Sequence, residues 1–215
     1  RKPADFAKVM EHVDGIVQGI YEHELPEVWE KMGIDVYVHE SGAKFIDSHI
    51  VEIGPDRLRG TNIVICTGSS PRYLDVPGTE EIELLHNENF WELREQPASI
   101  VFIGGGVISA EIGQSMARLG TKVSIMDRNE RILKALQDAA AEVIFEQFDK
   151  EDIQRIEGAS LKGFRKEAGQ TVVVYEQKGA EKEIQTEAVF AAVGRVPNLK
   201  GLDLEKAGIH YTERG

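Results

Sequence analysis

Apolar positions change their period along the chain. Up to about residue 33 they recur at helical spacing: Phe6, Val9, Met10, Val13, Val17 and Ile20 share one stripe. Leu25-Pro26-Glu27 restarts a second short helix with proline where a missing N–H does no harm. From Ile34 to Ile65 the pattern turns extended. Ile34-Asp35-Val36-Tyr37-Val38 alternates, Ile50-Val51-Glu52-Ile53 follows, then the turn residues Gly54-Pro55-Asp56, then Ile63-Val64-Ile65. This predicts a small antiparallel ribbon feeding a buried strand. Residues 71–98 have little periodicity beyond a short segment near Phe90 and Trp91, and read as a connector.

At Ser99 the character changes again. Ile100-Val101-Phe102-Ile103 is wholly apolar, as expected of a parallel strand covered on both faces. After a run of glycines, Ile108, Ile112, Met116 and Leu119 form one helical stripe that Gly120 can close as a C-cap. Val123 to Met126 is the next strand, residues 136–149 the next helix, and Ile153 to Ile156 a third strand. Strand, helix, strand, helix, strand is half of a doubly wound nucleotide-binding sheet. Residues 160–187 alternate in short strands broken at Gly169 and Gly179, which predicts a three-stranded antiparallel flap, and Ala188 to Val193 returns to the sheet. The fold expected is therefore α/β: a Rossmann-like dinucleotide-binding domain with its flap, plus an incomplete second domain of helix and antiparallel strands. The division expected is 1–70, a connector at 71–98, 99–193, and 194–215 as a return to the first domain.

Composition narrows the partners. The 215 residues are 41% hydrophobic and 29% charged, which fits a globular chain and excludes a disordered or disulfide-stapled one. A formal charge of −12 repels a phosphate backbone, so nucleic acid is not an expected partner. The single cysteine, Cys66, cannot form an intrachain disulfide, and no stretch is long and apolar enough to span a membrane; a cytoplasmic protein is expected. Cys66 itself reads as a buried strand residue. The six histidines are scattered without metal-ligand spacing, so no metal is expected. The chain starts at Arg1 without methionine and stops at Gly215 in what reads as a turn, as expected of a piece of something longer.

The candidate chemistry is Gly104-Gly105-Gly106-Val107-Ile108-Ser109, placed where a parallel strand ends and a helix begins. Three glycines can be no more than a tight turn. In this context, though, Gly104 permits the sharp turn, Gly106 lets backbone approach a pyrophosphate, and the helix from Val107 points its positive end at that anion. Ser109 stands where the fingerprint has its third glycine; it is small enough for close packing, with slightly wider helix–strand spacing expected. Asp127 follows the second strand, about where a carboxylate would accept from ribose hydroxyls and repel a 2′-phosphate, which favours NAD over NADP. Arg128, Arg131 and Lys134 read first as solvated loop charges, and alternatively as holding a phosphate if Asp127 swings aside.

These residues resemble the FAD-dependent pyridine nucleotide-disulfide oxidoreductases, the family of dihydrolipoamide dehydrogenases, glutathione reductases and mercuric reductase-like enzymes. Besides the stretch Gly104 to Glu111, the resemblance rests on Gly42-Ala43-Lys44-Phe45, on Ile65-Cys66-Thr67-Gly68-Ser69-Ser70-Pro71 with Cys66 in an alanine place, on Val76-Pro77-Gly78, and on Ala191-Ala192-Val193-Gly194-Arg195-Val196-Pro197-Asn198. It implies that Ala43 lies against the adenine of FAD, that Thr67 and Gly68 line the FAD site, and that Arg195 meets the flavin side or only tethers the domain boundary. Glu111 would sit near the nicotinamide and Gly194 on the NAD(P) side. The resemblance also implies that a first glycine fingerprint and a C-x4-C redox pair precede this region, and that an interface domain with a His-Glu pair follows it. No catalytic residue is then expected within the chain; Cys66 is not the catalytic thiol. The parent would be a homodimer, this piece a monomer. A folded NAD(H)-binding module without turnover is the alternative.

Overall fold

The computed structural model describes residues 5–212, and the turn expected at Gly215 lies outside them. Helices α1 (Phe6–His23) and α2 (Pro26–Lys31) lead, the second opening on its proline. Strands β1 (Ala43–Phe45), β2 (Ile50–Ile53), β3 (Asp56–Arg59), β4 (Ser69–Pro71) and β5 (Leu84–Leu85) follow, with short 3-10 turns at Thr79–Glu81 and Phe90–Glu92. Then come β6 (Ser99–Ile103), α3 (Val107–Leu119), β7 (Lys122–Met126), α4 (Asp138–Lys150) and β8 (Gln154–Ile156). The chain continues through β9 (Ala159–Glu167), β10 (Gln170–Gln177), β11 (Ala180–Thr186), β12 (Ala188–Ala191) and β13 (Arg195–Pro197) to a last 3-10 turn at Leu204–Ala207. Two compact units result. One takes the chain up to Asp14 together with Pro71–Gly194; the other takes Gly15–Ser70 and the described residues from Arg195 on.

In the first unit a parallel sheet runs in the order β5-β12-β6-β7-β8. Its apolar strands have no polar side because both faces are covered. Ile100 and Phe102 enter a core with Met116 of α3, Phe145 and Phe148 of α4, and Phe6 and Met10 from the start of α1. Val101 and Ile103 point the other way, into a core roofed by Phe164, Val173 and Tyr175. Those three come from the flap, a three-stranded antiparallel sheet ordered β11-β10-β9. Its hairpins turn at Ala168-Gly169 and Lys178-Gly179, each pair with positive φ at both residues, the type I′ geometry whose twist suits two-residue connections. Gly120 caps α3 at φ 109°, its N–H reaching the Met116 and Ala117 carbonyls. The close helix–strand approach falls at Gly113, where a Cβ would stand 3.3 Å from Val123 and 3.5 Å from Phe102 and Ile125.

The second unit holds the antiparallel ribbon β1-β2-β3, where Glu52 bridges Lys44 at 2.9 Å and Arg57 at 3.1 Å. Phe45 is buried there, and its N–H donates to the Leu202 carbonyl at 2.8 Å. Strands β4 and β13 make a separate pair. Three expectations fail in this unit. Ile34 to Val38 and Ile63 to Ile65 form no strand, and Cys66 is exposed rather than buried in one. Among the described residues no further strand pairs with these segments, and a strand exists only through its ladder of partners. Ile16, Val17, Ile20 and Tyr21 of α1 are likewise exposed. The class is α/β, with the parallel sheet and flap as expected and a second unit of helix and antiparallel strands. Among the described residues no helix is long and apolar enough to cross a membrane.

Candidate dinucleotide site

Strand β6 is the point where the sheet changes direction: β7 lies on one side of it and β12, the last strand to be added, on the other. Ligands of open α/β sheets bind in the crevice beyond the carboxyl ends of strands at such a point. The register Ile103 opposite Met126 puts residues 104 and 127 side by side there, and the Gly104 N–H donates to the Met126 carbonyl at 2.8 Å.

Each glycine of the turn meets a different constraint. Gly104 has φ 105°, a left-handed conformation, and a Cβ on it would collide with the Ala192 carbonyl oxygen. Gly105 faces inward; a Cβ would lie 2.7 Å from Ile132 Cβ and 3.0 Å from Asp127 Cβ. Gly106 faces open space, with nothing within 4 Å of a Cβ. Among the described residues no side chain caps α3, and the first bond that closes its ladder runs from the Ala110 N–H to the Gly106 carbonyl at 3.1 Å. The amides of Val107, Ile108 and Ser109 ahead of it are the orphan donors of a helix end. The turn is therefore open on the side of Gly106, next to these donors.

Ser109 is fully buried, and its hydroxyl donates to the Gly104 carbonyl, so its side chain braces the turn from within. Asp127 is half-buried and engaged at both oxygens. Oδ2 accepts from the Gly105 N–H at 2.5 Å; Oδ1 accepts from the Asn129 N–H at 2.7 Å and from Asn129 Nδ2 at 2.6 Å. One amide of the cradle is therefore taken by the acid itself, while two carboxylate oxygens with about four acceptor sites still leave room for a hydroxyl. The loop after Asp127 folds back over the turn: Leu133 N–H donates to the Gly105 carbonyl at 2.7 Å, and Ile132 is buried against Gly105. Arg131 is held by Asp138 at 2.5 Å and by the Leu136 carbonyl at 2.8 Å; Lys134 donates to Asn129 Oδ1 at 3.0 Å; Arg128 is exposed.

Glu111 is exposed one helical turn beyond the cradle, on the rim of an apolar groove of about 400 Å³ between the start of α1, the turn at Phe90 and Trp91, and α3. Gly194 is exposed with φ 108°, and its carbonyl accepts from the Arg72 N–H at 3.0 Å. In the second unit the motif segments around Thr67 and Asn198 meet. Thr67 Oγ1 donates to the Asn198 carbonyl at 2.8 Å, Asn198 Nδ2 returns a bond to the Thr67 carbonyl at 3.0 Å, and the Asn198 N–H reaches the carbonyl of Gly68, which sits at φ 69°. Arg195 donates through Nε to Ser69 Oγ at 2.7 Å and through its terminal nitrogen to the Ser69 carbonyl. Ala43 lies in β1 opposite Ile53. Sequence reasoning passed over Gly113, Ile132 and Asn129. Only Asn129 left a signal, as an amide residue two positions after a strand-end acid, a common Asx arrangement. Among the described residues no group of three or more His, Cys, Asp or Glu is placed to hold a metal ion.

Residues 6–215 match the family model described as pyridine nucleotide-disulphide oxidoreductase. The chain is 32% identical over 212 residues to a mercuric reductase of Staphylococcus aureus, covering 99% of this chain and 38% of that protein. It is 32% identical over 223 residues to a dihydrolipoyl dehydrogenase of Geobacillus stearothermophilus, covering 98% of this chain and 45% of that one. The chain thus spans less than half the length of these relatives. In fold it resembles the HOCl-induced flavoprotein disulfide reductase RclA of Escherichia coli, solved as a Cu(II) complex, with a TM-score of 0.84 at 24% identity over all of this chain and 48% of that one.

Proposed function

Because the chain belongs to the pyridine nucleotide-disulphide oxidoreductase family, we propose that its Pro71–Gly194 unit holds the nicotinamide dinucleotide of a flavoprotein oxidoreductase. In that protein a hydride would pass between NAD(P)H and FAD, in service of a disulfide, dithiol or similar acceptor. The observation that supports this most directly is the meeting of an open glycine turn and a strand-end carboxylate, joined at 2.5 Å, at the switch point of a parallel sheet.

The roles follow from the chemistry of each group. The amides at the start of α3, with the helix dipole behind them, would bind the pyrophosphate. Asp127 would accept from a ribose hydroxyl and repel a 2′-phosphate, which favours NAD; Arg128 is the exposed cation nearest in sequence. Ser109 keeps the turn in shape by its bond to Gly104. Glu111 and Gly194 would flank the nicotinamide end, and Ala43, Thr67, Gly68 and Arg195 would contribute to a flavin site. The bound cofactors supply the electron chemistry; the chain binds and orients them. The parent is read as a soluble cytoplasmic homodimer.

A second reading has its own observation. Cys66 is the only cysteine, and it is exposed, so this chain holds no dithiol of its own. It could then serve as an NAD(H)-binding module without turnover. Titrating the purified protein with NADH and NADPH while recording its visible spectrum separates the two: yellow colour with NADH binding supports the reductase, a colourless protein that binds NADH supports the module, and binding of neither nucleotide removes both. Within the site, Asp127→Ala should weaken NADH binding by about 1–3 kcal/mol, the loss of a charged hydrogen-bond acceptor. Unchanged affinity by calorimetric titration would take Asp127 out of the site.

A further inference from the structure

Asn129 stands between two opposite charges. Its Nδ2 donates to Asp127 Oδ1 at 2.6 Å, and its Oδ1 accepts from Lys134 Nζ at 3.0 Å. Its main-chain N–H adds a second bond to the same carboxylate oxygen at 2.7 Å. One amide group therefore separates the carboxylate from the ammonium, with its dipole aligned so that the NH2 end faces the acid and the carbonyl end faces the cation. Of the other loop cations, Arg131 is committed to Asp138 and the Leu136 carbonyl. Arg128 is exposed, and Lys134 is the cation bonded to the Asn129 amide, so Lys134 is the one that a change at Asn129 releases.

We infer that Asn129 is a specificity-determining positioning residue: its amide orients Asp127 for a ribose 2′-hydroxyl and holds Lys134 off a 2′-phosphate. The inference rests on the dinucleotide reading of the site. Two consequences of removing the amide act in the same direction. A released Lys134 either pairs with Asp127 directly, which cancels the charge that repels a 2′-phosphate, or reaches the phosphate itself. Both lower the penalty against NADPH. The first also competes with the ribose hydroxyls for the carboxylate, which lowers affinity for NADH. The main-chain bond from the Gly158 N–H to the Asn129 carbonyl survives substitution by alanine, so the loop keeps that anchor.

The test is equilibrium titration of the full chain with NADH and with NADPH, followed by nucleotide fluorescence, for the wild type, Asn129→Ala, Lys134→Ala and the double variant. Asn129→Ala should shift the ratio of dissociation constants towards NADPH by about tenfold, the scale of one charge-assisted hydrogen bond. Lys134→Ala alone should leave the ratio within about twofold, because that ammonium is already held aside, and adding it to Asn129→Ala should return most of the tenfold shift. A purely structural role for Asn129 would weaken both nucleotides alike and would not respond to Lys134. An unchanged ratio in Asn129→Ala, with NADH still bound by the wild type, overturns the inference alone. So does a tenfold shift from Lys134→Ala by itself, a result that needs no Asn129 variant to fold. Failure of the wild type to bind either nucleotide overturns it together with the dinucleotide reading.

Discussion

Neighbouring glycines in one turn answer to different forces, and alanine substitutions should separate them. At Gly105 a methyl group has no room against Ile132 and Asp127, so Gly105→Ala should cost about 1–3 kcal/mol of stability by overpacking, measured as a lowered midpoint in chemical denaturation. At Gly106 the methyl would meet nothing within 4 Å and φ is −84°, so Gly106→Ala should leave stability within about 0.5 kcal/mol. Its effect should appear as weakened NADH binding, since the methyl occupies the open side of the cradle. Equal loss of stability in both would show that the turn is merely tight. The places of Gly104 and Asp127 were legible in the sequence because the βαβ pattern fixes which two strand ends become neighbours. The clasp of Ile132 was not, because it depends on how a loop without periodicity closes, and Asn129 left only its place two residues after a strand-end acid.

Among the elements, α3 and α4 are tied at one carboxylate. Glu151, just past the end of α4, accepts from Gln114 at 2.8 Å and Arg118 at 2.8 Å on α3, and from Gln147 at 2.7 Å on α4. Partial burial pushes its carboxyl up, but these hydrogen bonds and the Arg118 charge outweigh it and hold the group below the ordinary glutamate value of 4.5. A carboxyl depressed in the folded state stabilises the fold above its unfolded value, and that stabilisation is lost as pH falls through the folded value. Wild type should therefore lose stability relative to Glu151→Gln as pH is lowered from about 6 to about 3, in parallel thermal melts; identical slopes would contradict the coupling. The flap was legible at the same scale because Gly169 and Gly179 supply the positive φ that type I′ hairpins need. Ile34 to Val38 and Ile63 to Ile65 carry a strand-like pattern without becoming strands. Alternation specifies a face and not a partner, and without a partner the backbone groups have no ladder to join.

For the whole molecule, the relevant division is between two compact units. A ligand that binds only the folded first unit should protect that unit alone. At NADH about a hundredfold above its dissociation constant, the added stability is about 2.7 kcal/mol. Amide hydrogen exchange should then slow in peptides from Ser99 to Leu136 and stay unchanged in the β1-β2-β3 ribbon; equal slowing in both would mean that the nucleotide stabilises more than the Pro71–Gly194 unit.

The strand order has a consequence for the chain as it is made. β6 needs β7 on one flank and β12 on the other, and β12 is translated only after both helices and the whole flap. At roughly 5–20 residues per second, a nascent chain leaves the Ile100-Val101-Phe102-Ile103 edge unpaired for several seconds. Ribosome stalling or truncation anywhere in the flap would strand an oily, template-ready border, and such products should be cleared by chaperones and proteases or accumulate as insoluble material.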